Sequence, residues 1–296
     1  MRKLSFLFVM VFISVAVMAQ VTTSSINGIV TDEQGQPLVG ATLKAIHLPT
    51  GTVYAISTLK TGKYTLNGMR VGGPYEVECS YIGCNSETIT DIYLTVGEEA
   101  TFNFKLKESI QTMDEIVVVG RTNPVFNSNR TGAQEVITKE IMSKLPTMNR
   151  SLDDFTKLTP MSSRGSFGGT SYRFNNITVD GASFNNSFGL SSSLGASGVE
   201  PISLEAIEQV QVMIAPYDVR NGSFTGAGIN SVTKSGTNDW QASAYFYKKS
   251  PSLTGWRQKD DEPRINEFKY NQYGVSLSGP IIKNKLFFFI NGEPNR

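Results

Sequence analysis

Apolar and polar residues alternate with a period of two along the first third of the chain. Two runs in which every second residue is apolar are Tyr75, Val77, Cys79 and Tyr81, and Phe102, Phe104 and Leu106. Such alternation turns one face of a strand inward. About seven strands of this kind, separated roughly every eight to twelve residues by turn signals, are expected over Val21–Lys107. The pattern predicts an immunoglobulin-like β-sandwich.

A mixed pattern follows between about Arg130 and Gly236. Met148–Thr159 predicts a helix, because it has a one-sided apolar stripe and a Ser-x-x-Asp capping box ahead of Pro160. The stripe is Leu152, Phe155 and Leu158, and the capping box is Ser151 with Asp154. Further elements are predicted as a strand at Asn176–Val179, a short helix at Ser203–Gln209 and a strand at Val210–Ile214.

Strand-like alternation returns in the last sixty or so residues. Apolar Trp240, Ala242, Ala244 and Phe246 alternate with Gln241, Ser243, Tyr245 and Tyr247. One face of this strand is compatible with lipid, and the other is polar with aromatic residues of the kind found in membrane girdles. Glu267–Ser278 and Lys285–Asn291 predict the next two strands, and the charged stretch Lys248–Arg264 predicts a surface loop.

Composition supports β structure and excludes one class of partner. The 296 residues include 27 Gly, which favours turn-rich β folds over helical bundles, and they exceed one average domain. Charged residues make up 18% and the formal net charge is +1, so no electrostatic footprint for nucleic acid is present.

Residues 1–19 have the pattern of a signal peptide. Arg2–Lys3 form the charged region, and Leu4–Ala19 is an apolar run too short for a typical membrane span. Val17 and Ala19 are small enough for the −3 and −1 positions of a cleavage site before Gln20. The sequence therefore predicts an exported protein.

A short apolar segment, Gln111–Gly120, stands between these regions. Its Ile116–Val119 run is β-branched and therefore favours an extended backbone. The polar stretch Arg121–Arg130 that follows contains Pro124 and encodes no neighbouring strand. Such a segment can add as an extra strand to another protein's sheet edge. The alternative, favoured by composition alone, is that it forms the first strand of the following domain.

No catalytic, metal or cofactor site is predicted. His47 is the single histidine, and with only Cys79 and Cys84 it cannot build a typical zinc site. No G-x-S-x-G elbow or phosphate-binding loop occurs. The two cysteines are expected to be buried free thiols, although export would permit a disulfide. An enzyme is therefore not expected.

The front region resembles the carboxypeptidase-regulatory-like domain. The resemblance rests on GIVTDEQGQPLVGATLKA and TGKYTLNGMRVGGPYEVECSYIGC and spans roughly Ile26–Lys107. Leu59, Lys60 and Thr61 stand where this family usually has an acidic turn, so a cation site there is not expected. In this domain the carboxypeptidase name refers to a non-catalytic module.

The later residues resemble TonB-dependent receptors of the Oar-like kind. NRSLDDFTKLTP, FNNITVDGASFNNSFGL, PISLEAIEQVQVMIAPYDVRNGSFTGAGINSVTKSGTN and NQYGVSLSGPIIKNKLFFFINGE carry the resemblance, in that order, over most of Met148–Glu293. It implies a mainly β chain with a sandwich over 20–107, a linker over 108–129, a mixed α/β plug over 130–236 and an incomplete start of a transmembrane β-barrel over 237–296. It also implies an outer-membrane protein with its N-terminal domain in the periplasm.

The resemblance also implies a partner for the apolar segment Gln111–Gly120. This segment lies at the position where these receptors have their TonB box. The implied TonB-binding residues are Met113, Asp114, Glu115, Ile116, Val117, Val118, Val119 and Gly120. That position favours strand addition over the first-strand alternative. The implied partners are TonB with its inner-membrane energising complex, outer-membrane lipid and an imported substrate that the sequence does not identify.

The predicted function is therefore energy-coupled import through the outer membrane, with this chain as the N-terminal portion of a receptor. A lumen that holds a plug needs about 22 strands, and only about three are encoded, so a truncated chain is expected. The alternative function is a cell-surface module that uses the sandwich to bind carbohydrate or protein. Glycan arrays probed with residues 20–107 would distinguish the two.

Overall fold

The computed structural model describes residues 22–108, 116–119, 133–145, 147, 150–163, 165–185, 202–215, 221–253 and 270–294. The predicted signal peptide, residues 1–19, lies outside these ranges, as does most of the predicted linker. The chain divides into two compact units, the first ending at Thr233 and the second beginning at Lys234, and each is described by itself.

Nine strands form two sheets in the first part of the chain. They are β1 (Ser24–Thr31), β2 (Thr42–His47), β3 (Thr52–Ser57), β4 (Lys63–Met69), β5 (Gly72–Ser80), β6 (Glu87–Leu94), β7 (Glu99–Thr101), β8 (Phe104–Lys105) and β9 (Ile116–Val119). One sheet has the order β4-β1-β7, with β8 also paired to β1, and the other has the order β3-β2-β5-β6-β9. These two sheets are called the sandwich.

Alternating burial builds the core of the sandwich. In β5, Tyr75, Val77 and Cys79 are fully buried while the residues between them are half-exposed. They pack with buried side chains of both sheets, including Leu43 and Phe104, in one hydrophobic cluster. The predicted mainly β fold with an immunoglobulin-like sandwich is confirmed.

A second sheet system follows in the same compact unit. Its elements are β10 (Ala133–Thr138), α1 (Lys139–Lys144), α2 (Leu152–Thr156), β11 (Ser162–Ser163), β12 (Ser166–Phe167), β13 (Asn176–Val179), β14 (Ala182–Ser183), β15 (Ile207–Ala215) and β16 (Gly228–Thr233). Five of the strands form one sheet in the order β10-β15-β16-β13-β14, called the mixed sheet because only β13 and β16 run parallel. Within the described ranges, no helix combines the length and hydrophobicity that a membrane-spanning helix needs.

The helix predicted over Met148–Thr159 is much shorter in the structure. It covers only Leu152–Thr156, and the side chain of Ser151 makes no capping hydrogen bond. Arg150 has a positive φ of 52°, which is incompatible with a helix continuing through it. After Thr156 the backbone tightens into turns, in which the Leu158 N–H donates to the Phe155 carbonyl ahead of Pro160.

The short helix predicted at Ser203–Gln209 is also reduced. A single 3-10 turn covers Leu204–Ala206, and β15 already begins at Ile207. Pairing with β10 on one side and β16 on the other explains the extended backbone, since both neighbours contribute a ladder of hydrogen bonds. Tertiary pairing therefore overrides the local helical pattern.

The second unit is an antiparallel sheet of three strands, β17 (Gln241–Lys249), β18 (Tyr270–Ile282) and β19 (Leu286–Gly292). Its alternation is inverted relative to a soluble sandwich. Val275 and Leu277 are exposed at 62% and 41%, whereas the polar Gln272 and Ser278 are almost fully covered. A strand with an apolar exposed face and a polar covered face is typical of a transmembrane barrel.

Candidate functional site

The predicted TonB-binding residues Ile116–Val119 form β9, and β9 lies in the sandwich. It runs parallel to β6, with the pairs Glu87–Ile116, Thr88–Val117, Ile89–Val118 and Thr90–Val119. The segment is extended, as its β-branched sequence predicts, and it adds a strand to a sheet edge. The other predicted residues, Met113, Asp114, Glu115 and Gly120, lie outside the described residues.

The pairing of β9 does not agree with the alternative that this segment is the first strand of the following domain. A first strand of the following domain would pair within the mixed sheet, but the ladder of β9 joins it to β6 of the preceding sandwich. The chain first passes from β6 into the other sheet through β7 and β8, and then returns to β9. Such a crossover is what parallel pairing requires.

A β-bulge in β6 marks the end of the paired edge. Val77 of β5 faces Ile89, whereas Tyr75 faces Ile92, so β6 has one extra residue over this interval. Asp91 lies within it and has a positive φ of 59°. A bulge bends a strand and ends regular pairing. The straight part of the edge is therefore Glu87–Thr90, which has the same length as β9.

The end of β6 also joins the sandwich to the mixed sheet. Gln209 of β15 is only 4% exposed. Its Nε2 donates to the Leu94 carbonyl at 3.2 Å, and its Oε1 accepts from the Val96 N–H at 3.0 Å. One side-chain amide therefore satisfies both a backbone acceptor and a backbone donor of the sandwich. Val71 and Val96 of the sandwich also form a small buried cluster with Val232 of β16.

The sequence pattern alone does not indicate a role for Gln209 or for the β6 edge. A glutamine in the helix-like stretch Ser203–Gln209 gives no sign that it will be buried in a strand. The bulge also has aspartate, and not glycine, at its position of positive φ, so the sequence does not indicate a bulge there. Aspartate is nevertheless among the residues that tolerate the left-handed region of backbone conformation. Both features depend on tertiary pairing.

The two cysteines are free thiols in the structure, as expected, but the predicted burial is confirmed for Cys79 and wrong for Cys84. Cys79 is fully buried, and burial with the nearby Glu87 carboxylate raises the pKa of its thiol to about 12. Cys84 is partly exposed, and its pKa is also raised. A thiol with a raised pKa is a poor nucleophile at neutral pH because the thiolate is scarce. Within the described residues, no group of three metal-ligating side chains comes together.

Two family models match the ends of the described structure. Residues 25–107 match the carboxypeptidase regulatory-like domain, and residues 232–296 match an outer membrane beta barrel domain. The first range contains β1 from its second residue onward and β2–β8, and the second contains β17–β19. These matches agree with the confirmed sandwich and with the inverted alternation of the second unit.

Two curated relatives are 31% identical to parts of the chain. The TonB-dependent transporter Oar of Myxococcus xanthus aligns over 157 residues, which is 49% of this chain and 14% of Oar. The probable TonB-dependent siderophore receptor PirA of Acinetobacter baumannii aligns over 183 residues, which is 54% of this chain and 22% of PirA. The chain therefore covers less than a quarter of either relative.

The crystal structure of PirA is also similar, with 26% sequence identity over 55% of this chain and 24% of that chain, at a TM-score of 0.42. The relatives and the barrel-domain match locate the chain in the outer membrane, with its N-terminal domain in the periplasm. The chain is similar to an N-terminal part of TonB-dependent outer-membrane receptors, with a carboxypeptidase regulatory-like sandwich ahead of the mixed sheet and strands of an outer-membrane barrel domain after it.

Proposed function

We propose that this chain acts as the periplasmic and plug part of an energy-coupled import receptor, with Met113–Gly120 as its TonB box. The observation that carries the proposal is the location of Ile116–Val119, which is extended and outside the mixed sheet. Among the described strands β9 pairs only with β6, so it can leave its position without unfolding the rest of the sandwich. Such a segment is suited to strand addition onto a partner's sheet.

In this mechanism the mixed sheet is the plug of the receptor. Substrate binding from outside shifts the plug's conformational equilibrium and makes the box available in the periplasm. TonB then pairs with the box through backbone hydrogen bonds, and pulling rearranges the plug to open a path. The substrate would be recognised by extracellular loops and by the outer face of the plug.

A proline substitution in the box tests the proposal. Val117→Pro removes a backbone donor and fixes φ, so we expect it to abolish capture of the chain by the periplasmic domain of TonB. Val117→Thr keeps the β-branched shape and serves as the matched control, with capture close to that of the wild type. The measurement is a pull-down of the full chain in detergent.

Thermal melts of the same variants separate a binding defect from a folding defect. The strand ladders among β1–β8 and those of the mixed sheet do not include Val117, which pairs only in the ladder between β6 and β9. We therefore expect the melting temperatures of both variants to match that of the wild type. Equal TonB capture by the wild-type and proline chains would exclude the proposed mechanism.

A further inference from the structure

The edge of β6 provides a docking site whose occupant is a segment of the same chain. An unpaired strand edge exposes a row of N–H and C=O groups that readily pair with another strand. In the structure the Glu87–Thr90 edge is paired along its whole straight length by Ile116–Val119. The bulge at Asp91 ends the edge at the residue where β9 also ends. The site and its occupant therefore match in length and register.

The path of the chain favours this occupant over a partner in solution. The chain leaves the sandwich at Glu108, which forms an isolated bridge with Cys84. One residue earlier, the Lys107 carbonyl accepts from the Asn85 N–H at 2.9 Å. These contacts hold the exit point just before the start of β6 at Glu87. Only residues 109–115 then separate the exit from the first paired residue, Ile116.

Docking on β6 leaves half of the segment's backbone groups available. Successive residues of a strand direct their N–H and C=O groups to opposite sides. One set of β9 groups therefore faces β6, and the other set faces away from it. In the described part of the chain, β9 is the last strand of its sheet, and no strand pairs with its outer edge.

We propose that the β6 edge, Glu87–Thr90, holds Ile116–Val119 extended and presents the outer edge of this strand to TonB. The TonB part of this inference rests on the proposed function, in which substrate binding makes the docked strand accessible to TonB. Fixing the backbone of a residue in one conformation costs conformational entropy. A segment that is already extended meets part of this cost before TonB arrives, which strengthens binding by preorganisation. Docking and TonB binding then favour each other.

A cross-strand disulfide tests the docking. Thr90 and Val119 are paired in register. Adjacent strands lie about 4.8 Å apart, which is within the Cα separation of a disulfide. We expect Thr90→Cys with Val119→Cys to cross-link on mild oxidation of the full chain, in a Cys84→Ser background that removes the partly exposed native thiol. The matched control, Thr90→Cys with Val117→Cys, is offset by two residues, about 8 Å by strand geometry, and should not cross-link.

The affinity of the cross-linked chain for TonB tests whether the docked strand presents its outer edge to TonB. The cross-linked chain should bind the periplasmic domain of TonB, itself free of cysteine, at least as tightly as the same chain after reduction. A tenfold or larger loss on cross-linking would mean that β6 sequesters the segment, and it would overturn the proposal. Equal cross-linking of the two cysteine pairs, or none in either, would overturn the docking itself.

The two readouts separate this inference from the proposed function. If neither the wild-type nor the reduced chain binds TonB, the proposed function fails and presentation to TonB fails with it. The cross-link still decides whether β6 holds the segment. If the wild type binds TonB and the in-register pair does not cross-link, only the docking inference is lost.

Discussion

Gln209 shows how a single side chain can join two parts of a fold. Its amide bonds the Leu94 carbonyl and the Val96 N–H of the sandwich, and it is almost completely buried. We expect Gln209→Leu to leave both backbone groups unpaired, at a cost of roughly 1–3 kcal/mol for each group that stays buried. Amide hydrogen exchange at Val96 should therefore become at least about tenfold faster, as measured by mass spectrometry on the full chain.

Gln36→Leu is the matched control for this experiment. It makes the same chemical change at an exposed position of the turn after β1. We expect it to leave exchange at Val96 unchanged. Unaltered exchange at Val96 in Gln209→Leu would show that the side-chain amide does not protect this group.

His47 makes the stability of the sandwich depend on pH. Burial, with a smaller contribution from the positive charge of Arg70, lowers the pKa of His47 to about 4. Its Nδ1 lies 2.7 Å from the Thr50 hydroxyl, and its ring lies 4.8 Å from that of Tyr75. The histidine is therefore held neutral inside the fold at pH values where an unfolded chain would protonate it.

The sign of the pH effect follows from the difference between the pKa of His47 in the unfolded chain and its pKa in the folded chain. Between the unfolded pKa of about 6.5 and the folded pKa of about 4, the unfolded chain binds a proton that the folded chain does not. Stability is therefore fully present above this window and is lost as the pH falls through it. We expect the free energy of unfolding to drop by roughly 2 kcal/mol from this group between pH 7 and pH 5, as measured by urea denaturation.

His47→Asn is the control, because asparagine can still reach Thr50 but does not titrate. The difference in unfolding free energy between pH 7 and pH 5 should be smaller in this variant than in the wild type. The same pH dependence in both chains would remove His47 as its source.

At the scale of single elements, the sequence predicts a strand well where apolar and polar residues alternate along it. The strand expected at Lys285–Asn291 is observed as Leu286–Gly292, shifted by one residue. The inverted faces of β18 are likewise visible in its alternating residues. In these cases the side chains of one strand are sufficient to define its faces.

Elements fixed by their neighbours are not predictable in this way. The four residues of β9 predict an extended backbone but give no register, and their partner β6 is recognisable only after the sandwich has formed. The Met148–Thr159 stripe predicts a long helix, yet the positive φ of Arg150 and the turns before Pro160 confine it to five residues. The TonB assignment of Met113–Gly120 stays a prediction, because it rests on position between domains.

At the scale of the whole molecule, the sandwich has a complete core of its own. Among the residues whose burial is described, the members of its hydrophobic cluster lie between Ile26 and Leu106. We therefore expect residues 21–107 to fold without the rest of the chain, with a dispersed amide spectrum and a cooperative thermal transition. A collapsed spectrum and a gradual melt would contradict this.

Two alanine variants of this isolated sandwich test whether the cluster is the source of its stability. Phe104 is 1% exposed, so Phe104→Ala should cost about 3–5 kcal/mol and lower the melting temperature strongly. Ile82 is 95% exposed, so Ile82→Ala should change the unfolding free energy by less than about 0.5 kcal/mol. Similar melting temperatures for the two variants would count against the assigned core.

The short connection between Glu108 and Ile116 has a consequence for how often the β6 edge is occupied. An extended chain of this length reaches no farther than about 30 Å, so an undocked segment remains close to its site. Such tethering corresponds to an effective concentration in the millimolar range for short flexible linkers. The β6 edge can therefore bind its own tethered strand most of the time, even if its affinity is too low to retain a free peptide at micromolar concentration. Its occupancy does not change on dilution, and a cell that makes ten receptors or ten thousand has the same fraction of them docked.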